Sequence, residues 1–186
     1  MAMTETMIDL QAFCATAPYR SYLHKPFTRG DWTYATNGHI AVRVPALPHY
    51  DDTEGASTIH TFFDVHANAT WRPLGHAILP EAGLVECDAC RGRGREHDCP
   101  DCSCMCEACD GTGMRKAVVS VELRGLGDVN ATYAALLLAL PGIEVAPIVA
   151  DLGAIAIPAI AFRFSGGVGV LMPLRGTRDV HLDVVL

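Results

Sequence analysis

Two copies of one cysteine and glycine pattern, CDACRGRG at residues 87–94 and CEACDGTG at residues 106–113, decide how the middle of this chain folds. Each copy reads C-x-x-C-x-G-x-G. Two thiolates three positions apart on a tight turn supply half of a tetrahedral metal site, so the two copies together supply the four sulfurs of a structural zinc ion. The glycines allow positive φ and a close approach of the backbone. The pattern therefore predicts a zinc knuckle.

The segment around the two copies has few apolar residues with which to fold. Between Leu84 and Lys116 there is no Phe, Tyr, Trp or Ile, although seven of the eight cysteines fall there. They are Cys87, Cys90, Cys99, Cys102, Cys104, Cys106 and Cys109. Zinc binding contributes about 10–16 kcal/mol in zinc-finger peptides, which is enough to order such a segment. The alternative is a disulfide cluster, but the N-terminal residues show no secretory signal, which favours zinc.

The sequence leaves the number of zinc ions and the assignment of ligands open. Cys87/Cys90 and Cys106/Cys109 share the full pattern and are the natural ligands of one site. Three further thiols and one imidazole offer a second site, formed by Cys99, Cys102, Cys104 and His97. In another partition, Cys87/Cys90 join Cys99/Cys102, and Cys104, Cys106 and Cys109 hold the other ion. A site of four thiolates has no open coordination position, which predicts a structural metal.

Length and composition limit what surrounds this module. The 186 residues suit one domain that carries a smaller module, and half of them are hydrophobic. A formal charge of -7 argues against a protein whose whole surface binds nucleic acid. The most apolar stretch, residues 134–162, is interrupted by prolines and acidic residues, so we expect no membrane span. We expect a cytoplasmic protein of a bacterial cell.

The two flanks of the module predict mixed helix and strand. In the first flank a helix is expected from Thr6 to Leu23, followed by a hairpin that turns at Asn37-Gly38. In the second flank a strand at residues 117–123 precedes a helix at residues 131–140, which Asn130 caps and Pro141-Gly142 ends. Strands follow at residues 143–148, 154–164 and 168–174. The apolar tail at residues 176–186 is expected to add an edge strand or to reach a partner.

The cysteine pattern resembles the cysteine-rich domain of DnaJ-type co-chaperones, which repeats the same C-x-x-C-x-G-x-G turn. The resemblance covers residues 87–113 and two of the four repeats of that family. The chain has no His-Pro-Asp tripeptide and no Gly/Phe-rich linker. The resemblance therefore implies a metal-binding turn and gives no support to recruitment of a partner chaperone.

Three short segments resemble bacterial sliding clamps, the DNA polymerase III beta subunits. YATNGH at residues 34–39 is similar to a clamp hairpin, NATYAALLL at residues 130–138 to the helix of the last clamp domain, and VLMPLR at residues 170–175 to its final strand. The resemblance implies an α+β fold: one clamp-like domain of two βαβββ halves with an inserted zinc-binding knuckle. The halves are residues 1–83 and 117–186, and the inserted DnaJ-like module is residues 84–116.

The chain also departs from the clamp pattern. A clamp ring needs six such domains, and its helices carry Lys and Arg toward DNA, whereas the segment at residues 131–140 has no charge. We therefore do not expect this chain alone to encircle DNA. An uncharged helix predicts burial or an interface, so we expect a protein partner, with a homo-oligomer as one form of it.

Three functions follow from these features. The preferred one is a non-enzymatic zinc-binding interaction module on a clamp-like scaffold, acting in DNA replication or on a host factor and encoded by a phage or other mobile element. The first alternative is a nucleic-acid-binding zinc protein that uses Arg91, Arg93 and Arg95, which occupy every second position after the first cysteine pair. The second is a DnaJ-like, chaperone-type binder of proteins. No hydrolase, phosphate-loop or metalloprotease motif indicates an enzyme or a small-molecule substrate.

Overall fold

Twelve strands and three short helices make up the computed structural model of the chain, which describes residues 8–51, 59–60, 62–63, 69–79, 81–95, 104–123, 125–151, 156–175 and 179–185. The strands are β1 (Phe27–Arg29), β2 (Trp32–Thr36), β3 (Ile40–Pro45), β4 (Arg72–Pro73), β5 (Leu84–Glu86), β6 (Met114–Lys116), β7 (Val119–Leu123), β8 (Gly127–Asn130), β9 (Glu144–Asp151), β10 (Ala156–Phe164), β11 (Gly167–Leu171) and β12 (Val180–Val185). The α-helix, α1, spans Ala131–Leu138, and two 3-10 helices span Leu10–Phe13 and Pro18–Leu23. The mixed α+β class is confirmed.

The strands form three sheets. Seven of them build an antiparallel sheet in the order β1-β2-β3-β11-β10-β9-β4. In the second sheet β7 lies in the middle, with β12 parallel on one side and β8 antiparallel on the other. The third sheet is the two-stranded ribbon of β5 and β6, which leads to the two cysteine patterns. The seven-stranded sheet thus joins strands from both flanks of the cysteine segment.

One hydrophobic core joins the large sheet to the small sheet and α1. Ile160, Phe162 and Phe164 alternate along β10 and enter this core, as expected for one face of a strand. The small sheet adds Val121 and α1 adds Leu137, and neither side chain has any exposed area. Burial of this apolar surface is the main force that holds the two layers together.

Two glycines of β11 accommodate the aromatic rings of β10. Gly169 is the register partner of Phe162, and Gly167 that of Phe164. A Cβ atom at Gly169 would lie 1.9 Å from Cζ of Phe162. The glycine-rich segment after Phe164 is therefore required by the packing of two rings as well as by the turn.

The helix predicted in the second flank is confirmed. Asn130 caps α1, because its side-chain oxygen accepts a hydrogen bond from the Thr132 amide at 2.9 Å. The helix ends at Leu138, two residues earlier than predicted. No helix in the described ranges is long and apolar enough to cross a membrane.

The strands predicted in the second flank are also confirmed, with shifts of a few residues at their ends. Of the chain's last residues, Val180–Val185 form β12, which pairs with β7 as one edge of the small sheet. The edge strand expected from the apolar tail is therefore present.

The single helix predicted from Thr6 to Leu23 is wrong for the described residues 8–23. Two 3-10 helices stand there, because Cys14 (ψ 159°) and Ala17 (ψ 131°) have extended backbone. Ala17 precedes Pro18, whose ring disfavours the α conformation of the residue before it. The division of the flanks into two βαβββ halves stays a prediction.

The hairpin predicted at Asn37-Gly38 is confirmed between β2 and β3, but its turn works differently from the expectation. Only Gly38 has positive φ, at 89°, whereas both turn positions were expected to need it. Asn37 acts through its side chain, whose Oδ1 accepts hydrogen bonds from the amides of His39 at 2.9 Å and Ile40 at 3.1 Å. The side-chain carbonyl of Asn37 therefore stabilises the turn by accepting these hydrogen bonds, and a second residue with positive φ is not needed.

We predict that Asn37→Ala lowers the free energy of unfolding by about 1–2 kcal/mol, because the amides of His39 and Ile40 lose their acceptor. Asn37→Asp keeps an oxygen in the same place and is the matched control, with a loss below about 0.5 kcal/mol. Urea denaturation followed by circular dichroism measures both. Equal losses in the two variants would show that the acceptor does not stabilise the turn.

Candidate metal centre

The four cysteines of the two repeated patterns form one buried cluster. The Sγ atoms of Cys87, Cys90, Cys106 and Cys109 all lie within 4.8 Å of one another. Cys87 and Cys106 are 4.0 Å apart at Sγ, and Cys90 and Cys109 are 3.8 Å apart. Four sulfurs at about 2.3 Å from a tetrahedral zinc ion are separated by about 3.8 Å. The cluster therefore has the donor set and the spacing of a structural zinc site.

The backbone builds this cluster from two equivalent turns. The amide of Cys87 donates to the carbonyl of Gly113 at 2.8 Å, and that of Cys106 to Gly94 at 3.0 Å. Within the turns, the Gly92 amide donates to the carbonyl of Cys87 and the Gly111 amide to the carbonyl of Cys106, each at 3.1 Å. The same bonds occur in both copies, so a local two-fold relation places the second cysteine pair opposite the first.

Backbone amides also point at two of the sulfurs. The Gly94 amide donates to Sγ of Cys90 and the Gly113 amide to Sγ of Cys109, both at 3.3 Å. Hydrogen bonds of this kind stabilise negative charge on a ligand and fix its orientation. The amide of the last glycine in each pattern therefore orients one sulfur of the candidate metal site.

The glycines are required by the close contact of the two turns. Gly94 and Gly113 have φ of 72° and 76°. A Cβ atom at Gly94 would lie 2.2 Å from the carbonyl oxygen of Gly111, and one at Gly113 would lie 2.2 Å from that of Gly92. Any side chain at these positions would separate the two turns.

The residue before the first glycine of each pattern is also left-handed, which the sequence did not indicate. Arg91 has φ of 54° and Asp110 of 49°. A side chain in this region is uncommon and costs energy. The same conformation recurs at the equivalent position of both turns, directly after the second cysteine of each pair.

Protonation of the cluster opposes metal binding. Burial raises the pKa of the Cys106 thiol to about 12, and the thiols of Cys109, Cys90 and Cys87 raise it as well. Without a cation the thiol form of Cys106 is therefore favoured at neutral pH. Zinc reverses this preference, because it stabilises thiolates and displaces the protons. Metal affinity accordingly rises as the pH rises.

The other predicted ligands are not part of this cluster. Cys104 is exposed and free. Cys99, Cys102 and His97 lie outside the described residues. The structure thus brings together the ligands of the first partition, and a second zinc site stays a prediction. The described cysteines, Cys14 included, are free, so the disulfide alternative gains no support within the described ranges.

The three arginines of the nucleic-acid alternative are all exposed. Arg93 uses its Nε to donate to the carbonyl of Cys90 at 2.9 Å, which ties it to the first turn. The equivalent positions in the second turn are Asp110, Thr112 and Met114, so the basic character is confined to one turn. Nucleic-acid binding through Arg91, Arg93 and Arg95 stays a prediction.

Sequence reasoning missed an ion-pair network beside the metal site. Nε of Arg115 in β6 lies 2.6 Å from Asp88, and its Nη1 lies 2.8 Å from Asp179. Hydrogen bonds from this guanidinium lower the pKa of both carboxyl groups. Asp179 is 64 positions from Arg115, so no local pattern could reveal the network.

A second candidate site is an apolar cavity of about 170 Å³ beside the hairpin. His39, Ile40 and Ala41 of the hairpin line one side, and Val170 and Met172 line another. His39 also faces the ring of Tyr133, with 6.3 Å between the ring centres. Burial and the nearby charge of Arg20 lower the pKa of His39, so its ring is neutral at physiological pH. The cavity wall is therefore almost free of charge.

Comparison with known proteins gives no match: no protein-family model, no curated protein and no solved structure matches this chain. The resemblances to sliding clamps and to DnaJ-type cysteine-rich domains stay predictions from short motifs.

We predict that the purified chain carries about one zinc ion at the four-cysteine cluster and that Cys109→Ser removes it, because a tetrahedral site loses one of its four ligands. Cys104→Ser is the matched control, since this thiol is exposed and outside the cluster, and it should leave that zinc in place. Elemental analysis by mass spectrometry measures the stoichiometry. A wild-type value near zero would exclude the zinc site.

We also predict that Gly94→Ala weakens zinc binding by at least about tenfold, because the added methyl group would meet the carbonyl of Gly111. Gly83→Ala is the control, since a Cβ atom at Gly83 meets nothing within 4 Å. Competition with a chromogenic chelator measures both affinities. Equal affinity in the two variants would contradict the close contact of the turns.

Proposed function

We propose that this chain is a non-enzymatic, zinc-binding interaction protein that acts in DNA replication or on a host factor. In this proposal, residues 84–116 form a zinc module carried on a clamp-like scaffold, and a phage or other mobile element encodes the chain. The observation that carries the proposal is the buried cluster of four thiols. Such a donor set stabilises a fold and leaves no coordination position for a substrate.

The serine, histidine and aspartate of the small sheet do not weaken the non-enzymatic interpretation. The Ser120 hydroxyl lies 3.0 Å from Nδ1 of His181, and a carboxylate oxygen of Asp128 lies 3.8 Å from the same nitrogen. A catalytic triad needs the serine and the acid on opposite nitrogens of the ring, with the serine open to substrate. Ser120 has no exposed area. These three residues fit a polar contact that joins β7, β8 and β12.

The apolar cavity supports a protein partner. Its volume of about 170 Å³ exceeds the roughly 150 Å³ in which an engineered apolar cavity binds benzene. Its wall combines Ala41, Val170 and Met172 with Phe62, so an apolar side chain is the group that it fits. Proteins commonly recognise an extended partner segment by placing such a side chain in a pocket. We therefore propose that the partner inserts an apolar residue here.

The position of this cavity supports the clamp-like scaffold. Its wall contains His39 from one segment that resembles sliding clamps and both Val170 and Met172 from another. These segments are far apart in sequence and are brought together by the pairing of β3 with β11. A shared pocket is consistent with one domain built from both flanks.

The proposal is tested by immobilising three forms of the chain and comparing the proteins that each form binds from a bacterial host extract. The wild type should retain a replication protein or a host factor. Met172→Lys places a charge in the cavity wall and should lose that partner at unchanged zinc content. Val149→Lys is the matched control, because Val149 is 57% exposed on β9 of the same sheet and does not line the cavity, and it should behave as wild type. The retained partner is then purified and its affinity for each form measured by calorimetry.

Two outcomes would contradict this function. Equal affinity of the purified partner for wild type and Met172→Lys would remove the cavity from the interface. Binding of duplex DNA that falls steeply with salt, and that is lost in the Arg91/Arg93/Arg95→Ala variant, would favour the nucleic-acid alternative instead. Fluorescence anisotropy at low and at physiological salt measures the DNA arm.

A further inference from the structure

Arg115 joins the zinc module to the body of the protein. Its Nε donates to Asp88 at 2.6 Å, and its two terminal nitrogens donate to the two carboxylate oxygens of Asp179, at 2.8 and 3.1 Å. The Arg115 side chain is only 24% exposed. Bidentate pairing of this kind fixes orientation as well as distance. One guanidinium therefore bonds to both the first cysteine turn, through Asp88, and the start of the C-terminal strand, through Asp179.

Asp179 stands where β12 begins to pair with β7. Its carboxylate accepts a hydrogen bond from the Val118 amide at 2.6 Å, and its own amide donates to the Val118 carbonyl at 3.0 Å. The next residue, Val180, begins β12 and is the register partner of Val119 in β7. The side chain of Asp179 thus fixes the point at which the parallel pairing starts.

Asp88 lies inside the first cysteine turn, between Cys87 and Cys90. The conformation of this turn depends on the metal ligands on either side of it, because the module has few apolar contacts of its own. Glu107 occupies the equivalent position in the second turn and is exposed. The two turns match in backbone, but the bond to Arg115 belongs to the first.

We propose that Arg115 is a positioning residue that transmits zinc binding to the C-terminal strand. The metal-ordered turn presents Asp88, Asp88 orients the guanidinium through Nε, and the oriented guanidinium holds Asp179 at the start of β12. Loss of zinc releases Asp88, which weakens the hold on Asp179 and lets β12 separate from β7. This inference rests on the zinc binding proposed above.

Hydrogen exchange read by mass spectrometry on the full chain tests the inference. In the zinc-loaded wild type the amides of Val180–Val185 should exchange slowly, and removal of zinc with a chelator should speed them by at least about tenfold. Asp88→Ala should still bind zinc, but exchange in β12 should no longer depend on the metal. Glu107→Ala is the matched control and should keep the full dependence. Arg115→Gln should show fast exchange in β12 with and without zinc.

The outcomes separate this inference from the proposed function. A wild type that binds no zinc overturns both. A wild type that binds zinc but shows the same exchange in β12 after chelation overturns the inference alone, as does an Asp88→Ala variant that keeps the full metal dependence. Because Asp88 is 74% exposed at its side chain, its truncation leaves no cavity, so this variant decides the question even where Arg115→Gln fails to fold.

Discussion

The meeting of four cysteine sulfurs within 4.8 Å is the constraint on which the middle of the chain depends. Almost nothing apolar is available between β5 and β6, so the turns cannot be held by burial of hydrocarbon. The cluster of four buried sulfurs and the crossed backbone bonds of Cys87 with Gly113 and Cys106 with Gly94 take that role. The glycines follow from the same constraint, since the two backbones approach too closely for a side chain.

The cysteine cluster could be predicted from sequence because its information is local. Two ligands three positions apart, repeated once, specify the turn, the donor set and the matching of one copy to the other. The partners of Arg115 could not be predicted. Asp179 immediately precedes β12, whose pairing with β7 is parallel and long in range, and no periodicity in the chain indicates which residue will face the guanidinium. The cavity was missed for the same reason, because β3 and β11 meet only in the folded sheet.

Secondary structure was predicted well where a single local signal decides it. Asn130 begins α1 through its side chain, and the Asn37-Gly38 turn produces the hairpin. The prediction failed at residues 8–23, where a helical pattern of apolar residues competes with the extended backbone that Pro18 favours at Ala17. In place of one long helix, the short 3-10 helix Leu10–Phe13 packs on β2 and β3.

The parallel pairing of β12 with β7 has a consequence for the order in which the small sheet can form. His181 reaches Ser120 across 61 positions, with the helix and three strands of the large sheet between them in the chain. During synthesis β7 therefore leaves the ribosome long before its neighbour does. Until β12 arrives, one edge of β7 has no partner there, and an unpaired edge strand is where chains associate wrongly. The interval between the two strands is therefore a stage at which this protein is exposed to aggregation.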